Sequence, residues 1–224
     1  MTTQVSSRSS GTIERPAEPV PDPQGSVVPA DLSSIMQVPV ADQAVTASVS
    51  PTGRGTGIAL AVLRIATGAV FAWAFLDKLF GLGYSTPGDR SWLSGGSPTQ
   101  GFLSHVQVGP LQGFFTDIAG VWWADWLFML GLAGIGIATI LGIGVRLAAV
   151  AGVLMMAMMW LAEYPLARFT SGGDATGSTN PIFDYHVIYA VALVVLAASA
   201  AGTVWGLGRW WAALPIVQRH PWLR

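Results

Sequence analysis

Apolar residues in this chain neither alternate nor keep to one helical face; they run on in blocks of about twenty. The first block, Ile58 to Phe80, is 23 residues long, and its only charged residues are Arg64, Asp77 and Lys78. As a helix it measures about 34 Å, enough to cross a hydrocarbon core of ~30 Å. The apolar stretch from Trp122 to Tyr164 is too long for one such helix. "LGIGVR" at Leu141 to Arg146 divides it with two glycines and a charge, which predicts a tight helical hairpin. The spans expected there are 122–143 and 145–164, the latter stopped by Pro165. A last block, 182–205, supplies a fourth. The pattern therefore predicts an all-α integral membrane protein, a four-transmembrane-helix bundle with short connections. The membrane domain would occupy 57–211, followed by a short cytoplasmic tail, 212–224.

Residues 1–56 read differently. They hold seven of the fourteen prolines, many Ser and Thr, and no aromatic residue. So little apolar surface cannot offset the entropy of ordering, so a disordered Pro/Ser-rich cytoplasmic tail is expected. It lacks the basic start, apolar core and small-residue cleavage site of a signal peptide.

Composition supports this division. The chain is 52% hydrophobic and 10% charged, with a mean hydropathy of +0.53, against about 25% charged residues in a soluble domain. The lipid bilayer is thus its expected solvent. A net charge of −1 gives no electrostatic case for nucleic acid. The absence of cysteine excludes disulfides, thiol redox chemistry and cysteine-ligated clusters. Three scattered histidines, His105, His186 and His220, make a metal or haem centre improbable, and neither is expected.

Small residues recur every four positions at Gly134, Ala138 and Gly142, and again at Ala198 and Gly202, a spacing that lets helix backbones approach in lipid. Arg54, Arg146, Arg209, Arg219 and Arg224 fall at one side of the bundle and Lys78, Arg90 and Arg168 at the other. The excess places both termini in the cytoplasm, with the protein multi-pass in the plasma membrane.

With that orientation the unusual polar residues gather at the outer mouth: Asp77 and Lys78 at the end of span one, Glu163 at the end of span three, and Asn180, Asp184 and His186 at the start of span four. Ionisable groups at such depth are costly unless they pair or face the bundle interior. Lys78 is placed to pair with Glu163 or Asp184, and the sequence does not choose. Asn180 suits an N-cap, with Pro181 at the first helical position. Asp184 then lies near the first turn, where the helix dipole favours an anion. His186 and Tyr189, three apart, share a face and could wall a pocket. Arg64 stands apart, near the cytoplasmic end of span one.

The outer loop, roughly 81–121, contains "SPTQGFL". Ser97 and Gln100 fit a capping box with Pro98 at the first helical position, predicting a short helix over 98–106. Phe102, Leu103, Phe114 and Phe115 would bury it in the interface or fold it over the mouth. Backbone N–H groups at this helix start, with Ser97 and Thr99, are candidate anion ligands.

The elements "LRIATGAVFAWAFLDKLFGLG", "WLSGGSPTQGFL", "NPIFDYHVIYA" and "WGLGRWW" together resemble the DoxX/DoxD family of four-helix membrane proteins, from Ile58 to the C-terminus. They look most like the DoxD-like branch of actinobacterial type. Phe75 stands where the broader pattern often has glycine, which favours that branch. The resemblance implies a subunit of a thiosulfate:quinone oxidoreductase, working with a second protein subunit and passing electrons to a membrane quinone. In that reading His186 and Asp184 are the catalytic candidates. Lys78, Asp77, Ser97, Thr99, Glu163, Asn180 and Tyr189 would form the substrate-binding set, with Arg168 a further cation for the anion. A non-catalytic membrane anchor or stabilising partner of another oxidoreductase is the competing reading. A small permease formed by a homodimer is a third, disfavoured because no inverted repeat or broken mid-span helix is visible.

Overall fold

The structure, a computed structural model, describes residues 53–199 and 201–223, and these are helical with no strand among them. The expected tail falls on residues 1–52, outside the described residues, up to its last four positions. Gly53 to Thr56 are described, and there helix α1 already begins, spanning Arg54–Phe80. Its 27 residues reach about 40 Å. Helices α2 (Gln100–Leu103) and α3 (Gln112–Ile118) lie in the following loop. Then come α4 (Trp122–Leu141), α5 (Val145–Glu163) and α6 (Tyr185–Ala198). Two short helices, α7 (Gly208–Ala213) and α8 (Pro215–Arg219), follow.

Helices α1, α4 and α5 are long and apolar enough to cross a membrane. The α4–α5 hairpin turns where the glycines stand: Gly142 and Gly144 have φ of 73° and 54°, backbone that only glycine adopts at no steric cost. Around the bundle α1 packs on α4, α4 on α5, α5 on α6, and α6 returns to α1. Each contributes to one central cluster: Phe71 from α1, Leu132 and Ile135 from α4, Ala149 and Met156 from α5, Leu193 from α6. The outward faces stay apolar, with Val62, Leu127, Leu130, Leu147, Val150, Leu154, Ile188 and Val194 exposed, as expected where lipid is the solvent.

The fourth span differs from its expectation. Helix α6 has 14 residues rather than the 24 of 182–205, about 21 Å, and gives way to a 3-10 turn at Ala201–Thr203. Side-chain contacts flank the helix at both ends. At its start Asp184, not Asn180, is the N-cap, accepting from the backbone N–H of His186 and Val187. Asn180 instead folds the chain before the helix, its Oδ1 accepting from the N–H of Ile182 and Phe183. At its end Arg64, fully buried on α1, donates to the carbonyls of Val204 and Trp205 at 3.2 and 2.8 Å. These bonds pin the chain beyond the helix end against α1.

The same guanidinium donates to Thr139 and Ile140 carbonyls at 3.0 and 2.6 Å. A helix leaves its last four carbonyls without helical partners, and here each is accounted for. Ala138 accepts from Gly142 and Ile143, Thr139 and Ile140 from Arg64, and Leu141 from the N–H of Leu207. Arg64 therefore ties α4 to the 204–205 turn. Gly142 and Gly202 meet at this knot so closely that a Cβ on Gly142 would lie 2.8 Å from Gly202 Cα.

The expected small-residue stripe is otherwise misplaced. Gly134 is exposed and faces open space, whereas Gly136 lies against the Ala72 backbone and Gly68 against Ile140. The close α1–α4 approach uses those two glycines.

Candidate functional site

The loop end of the bundle, where α1 and α5 finish and α4 and α6 begin, holds the polar residues that the sequence singles out. They form three separate groups, with no hydrogen bond or ion pair joining them among the described residues.

Asp77 sits buried in the last turn of α1, where the helix dipole disfavours an anion. Three donors compensate: the N–H of Tyr84 and Ser85 at 3.2 and 3.0 Å and the Ser85 hydroxyl at 2.6 Å. Lys78 donates to the same Ser85 hydroxyl at 3.3 Å and lies 6.0 Å from the Phe128 ring centroid. Its expected pairing with Glu163 or Asp184 is not formed.

The second group is organised by Asp125, a residue the sequence reading passed over. It is buried in the first turn of α4. Its Oδ1 accepts from Ser97 Oγ at 2.9 Å, Thr99 N at 2.9 Å and Thr99 Oγ1 at 2.6 Å. Thr99 Oγ1 in turn accepts from the N–H of Gly120, and Ser97 Oγ from that of Gln100, as a cap should. The donors expected to hold an external anion thus hold an internal carboxylate. The expected helix over 98–106 is a turn plus the four residues of α2. This loop does fold onto the bundle: Val106, Phe115 and Ala162 form a small buried cluster with Phe102, Leu103, Ile118 and Leu161 around it. Phe114 remains exposed. The one acidic residue inside "WWADWLFML" was the signal that could have drawn attention to Asp125.

The third group lies between the ends of α5 and α6. His186 is 1% exposed. Its Nδ1 is 2.9 Å from Asp184 Oδ2, and since an ionised carboxylate only accepts, Nδ1 carries the proton. Nε2 has no hydrogen-bond partner and faces Glu163 Oε1 at 4.0 Å. Tyr185 donates its hydroxyl to that oxygen at 2.6 Å and tilts its ring over the imidazole, centroids 4.0 Å apart. Tyr185, not named beforehand, thus takes the neighbouring position expected of Tyr189. Tyr189 packs edge-on against Phe71 and Tyr185. Asn180 and Arg168 are exposed and lie in the preceding loop, the guanidinium 5.8 Å from the Phe169 ring.

Between α4 and α5, beneath the folded loop, is an apolar cavity of about 390 Å³ walled by Phe102, Phe115, Trp123, Phe128, Met155 and Met159 among others. None of His186, Asp184, Glu163 or Tyr185 lines it. The space and the chemistry are different places, and of the three polar groups only the histidine cluster has a buried side-chain atom without a partner among the described residues. Such a cluster can take up or release a proton at Nε2, accept a donor there, or bind a cation between imidazole and carboxylate.

No curated protein and no solved structure matches the chain. One family model does: residues 59–164, from within α1 to the end of α5, match that of the DoxX family.

Proposed function

We propose that this chain is a DoxD-like membrane subunit of a quinone-linked oxidoreductase, in which His186 moves protons at the quinone. The observation that carries the reading is the buried imidazole whose Nδ1 is committed to Asp184 while Nε2 has no partner. A fixed Nδ1–H leaves Nε2 as the lone-pair nitrogen of the neutral ring, able to take a proton and, as imidazolium, to donate one to a quinone oxygen. Asp184 stabilises the imidazolium that forms. Glu163, held by Tyr185, lies on the far side of the same nitrogen and suits a proton relay to the surface, being partly exposed.

The reductant implied by the resemblance is thiosulfate. Two thiosulfate ions join through a new S–S bond as tetrathionate and give up two electrons; a quinone takes these with two protons and becomes the quinol. His186 would deliver protons to that second half-reaction. A second protein subunit is expected in the complex, and we place both termini in the cytoplasm, supported by the Arg-rich ends of the spans.

The test is thiosulfate-dependent quinone reduction in membranes carrying His186→Ala at normal abundance. Loss of at least a hundredfold is expected, since a positioned acid–base group contributes about 10²–10⁴-fold. Unchanged reduction would remove His186 from the mechanism. The anchoring alternative is favoured by one fact: Arg64, Asp77 and Asp125 are all spent on holding backbone. It requires instead that deleting the chain lowers a partner's abundance, while His186→Ala leaves that partner's activity intact.

A further inference from the structure

Among the described residues three buried side-chain atoms lack a hydrogen-bond partner: Arg64 Nε, Thr139 Oγ1 and His186 Nε2. The first two belong to the knot at the opposite end of the bundle, amid carbonyl groups. His186 Nε2 alone is set against a carboxylate, and the separation is telling. At 4.0 Å from Glu163 Oε1 it is too far for a hydrogen bond. A tetrahedral zinc ion, with bonds of about 2.0–2.2 Å, would hold the two atoms roughly 3.4 Å apart, so the gap is wider than a filled site by roughly half an ångström and leaves room for an ion. Ligand atoms of Glu163, Asp184 and His186 all lie within 4.8 Å of one another.

The surroundings suit a metal ligand. The carboxylate of Asp184 on Nδ1 fixes the tautomer and turns the Nε2 lone pair towards Glu163, the arrangement that backs histidine ligands in metal sites. Asp184 is itself fixed, because its other oxygen caps α6 through the N–H of His186 and Val187. Glu163 ends α5 with its side chain 35% exposed, so it can close by the roughly half ångström that tetrahedral geometry needs and admit water as further ligands. An imidazole nitrogen selects first-row transition ions over magnesium or calcium.

We infer that His186 Nε2 and Glu163 Oε1 form a binding site for a divalent transition-metal ion of the zinc type, with Asp184 holding the imidazole from behind and water completing the coordination. The same nitrogen cannot hold a metal and a proton together, so on the quinone reading above the ion competes with proton transfer. The site itself rests on geometry alone and binds metal whether or not the chain serves a quinone.

The experiment is titration of Zn²⁺ into the tag-free full chain in mild detergent by calorimetry, with Co²⁺ absorption as the spectroscopic probe of nitrogen coordination. One saturable site per chain is expected. Glu163→Gln and His186→Gln should each weaken it at least tenfold, and Asp184→Asn by about 10–100-fold, the usual effect of removing an outer-shell partner. Absence of saturation overturns the inference. So does binding that survives Glu163→Gln unchanged, which would assign the ion to exposed His105 or His220. Glu163→Gln preserves side-chain volume at a partly exposed helix end, so it decides the matter even if His186→Gln fails to fold. Neither titration nor variant series uses quinone or thiosulfate, so failure here and failure of the oxidoreductase reading are read separately.

Discussion

Replacing Arg64 by Met is the sharpest test of how this bundle is held together. The side chain is fully buried and donates to four carbonyls, those of Thr139, Ile140, Val204 and Trp205. A hydrogen bond from a charged group contributes about 1.5–3 kcal/mol, but four such values do not add, because they share one guanidinium and because burying it carries a desolvation cost. Met restores apolar volume and removes that cost, yet it leaves two last-turn carbonyls of α4 and two of the 204–205 turn without this donor. Leaving a buried acceptor unsatisfied costs about 1–3 kcal/mol, so the four carbonyls together should cost at least about 3 kcal/mol. For a domain of this size each kcal/mol moves the melting midpoint by about 2–4 °C, so Arg64→Met should melt at least about 6 °C below the parent. Intrinsic tryptophan fluorescence on heating, in one fixed detergent, measures it. Arg64→Lys should fall between the two, since a compact ammonium cannot reach both carbonyl pairs at once. An Arg64→Met chain that melts at or above the parent temperature would refute the reasoning, and would mean that desolvation outweighs the four bonds.

Two further outcomes follow from the loop end. Asp125→Ala strands the Ser97 and Thr99 donors and should destabilise the loop by about 2–3 kcal/mol, seen as faster proteolysis between residues 96 and 121; an unchanged cleavage rate would deny Asp125 its anchoring role. Asp184→Ala removes the α6 cap, at about 1 kcal/mol, and should speed amide exchange at His186 and Val187 while leaving α4 amides protected. Equal exchange in the two chains would show that the cap contributes nothing.

What the sequence made legible was whatever lipid decides. Spans α1, α4 and α5 could be read because a helix that must cross an apolar slab needs length and hydropathy and little else. The hairpin between α4 and α5 was equally plain, since Gly142 and Gly144 supply backbone that other residues avoid. The fourth span came out shorter than hydropathy, which continues through Val204, implies: the helix ends at Ala198, and Arg64, 140 residues earlier, binds the Val204 carbonyl beyond it. A tertiary contact at such separation leaves no local trace. Arg64 itself was visible as an anomaly, though not its partners. At the polar end the reading found the right residues and merged them too far. Asp77 closes on Ser85 only eight positions on, and Asp125 reaches Ser97 and Thr99. Only Asp184, His186 and Glu163 remain grouped as expected.

That sorting narrows where chemistry can reside. Asp125 and Asp184 lie at helix starts, where the dipole favours an anion and backbone donors are free. Asp77 lies at a helix end, the unfavourable position, and three donors compensate it. Glu163 also ends a helix, yet its one hydrogen-bond donor among the described residues is the hydroxyl of Tyr185. Of these four acids it is the one that holds no backbone, and it faces the nitrogen without a partner. A carboxylate so placed calls for positive charge, which a protonated His186 or a bound cation would supply at the same point. Both functional readings above therefore converge on the gap between Glu163 Oε1 and His186 Nε2. Proton and metal differ in what fills it, so the response of this gap to Zn²⁺ decides how the pair is used.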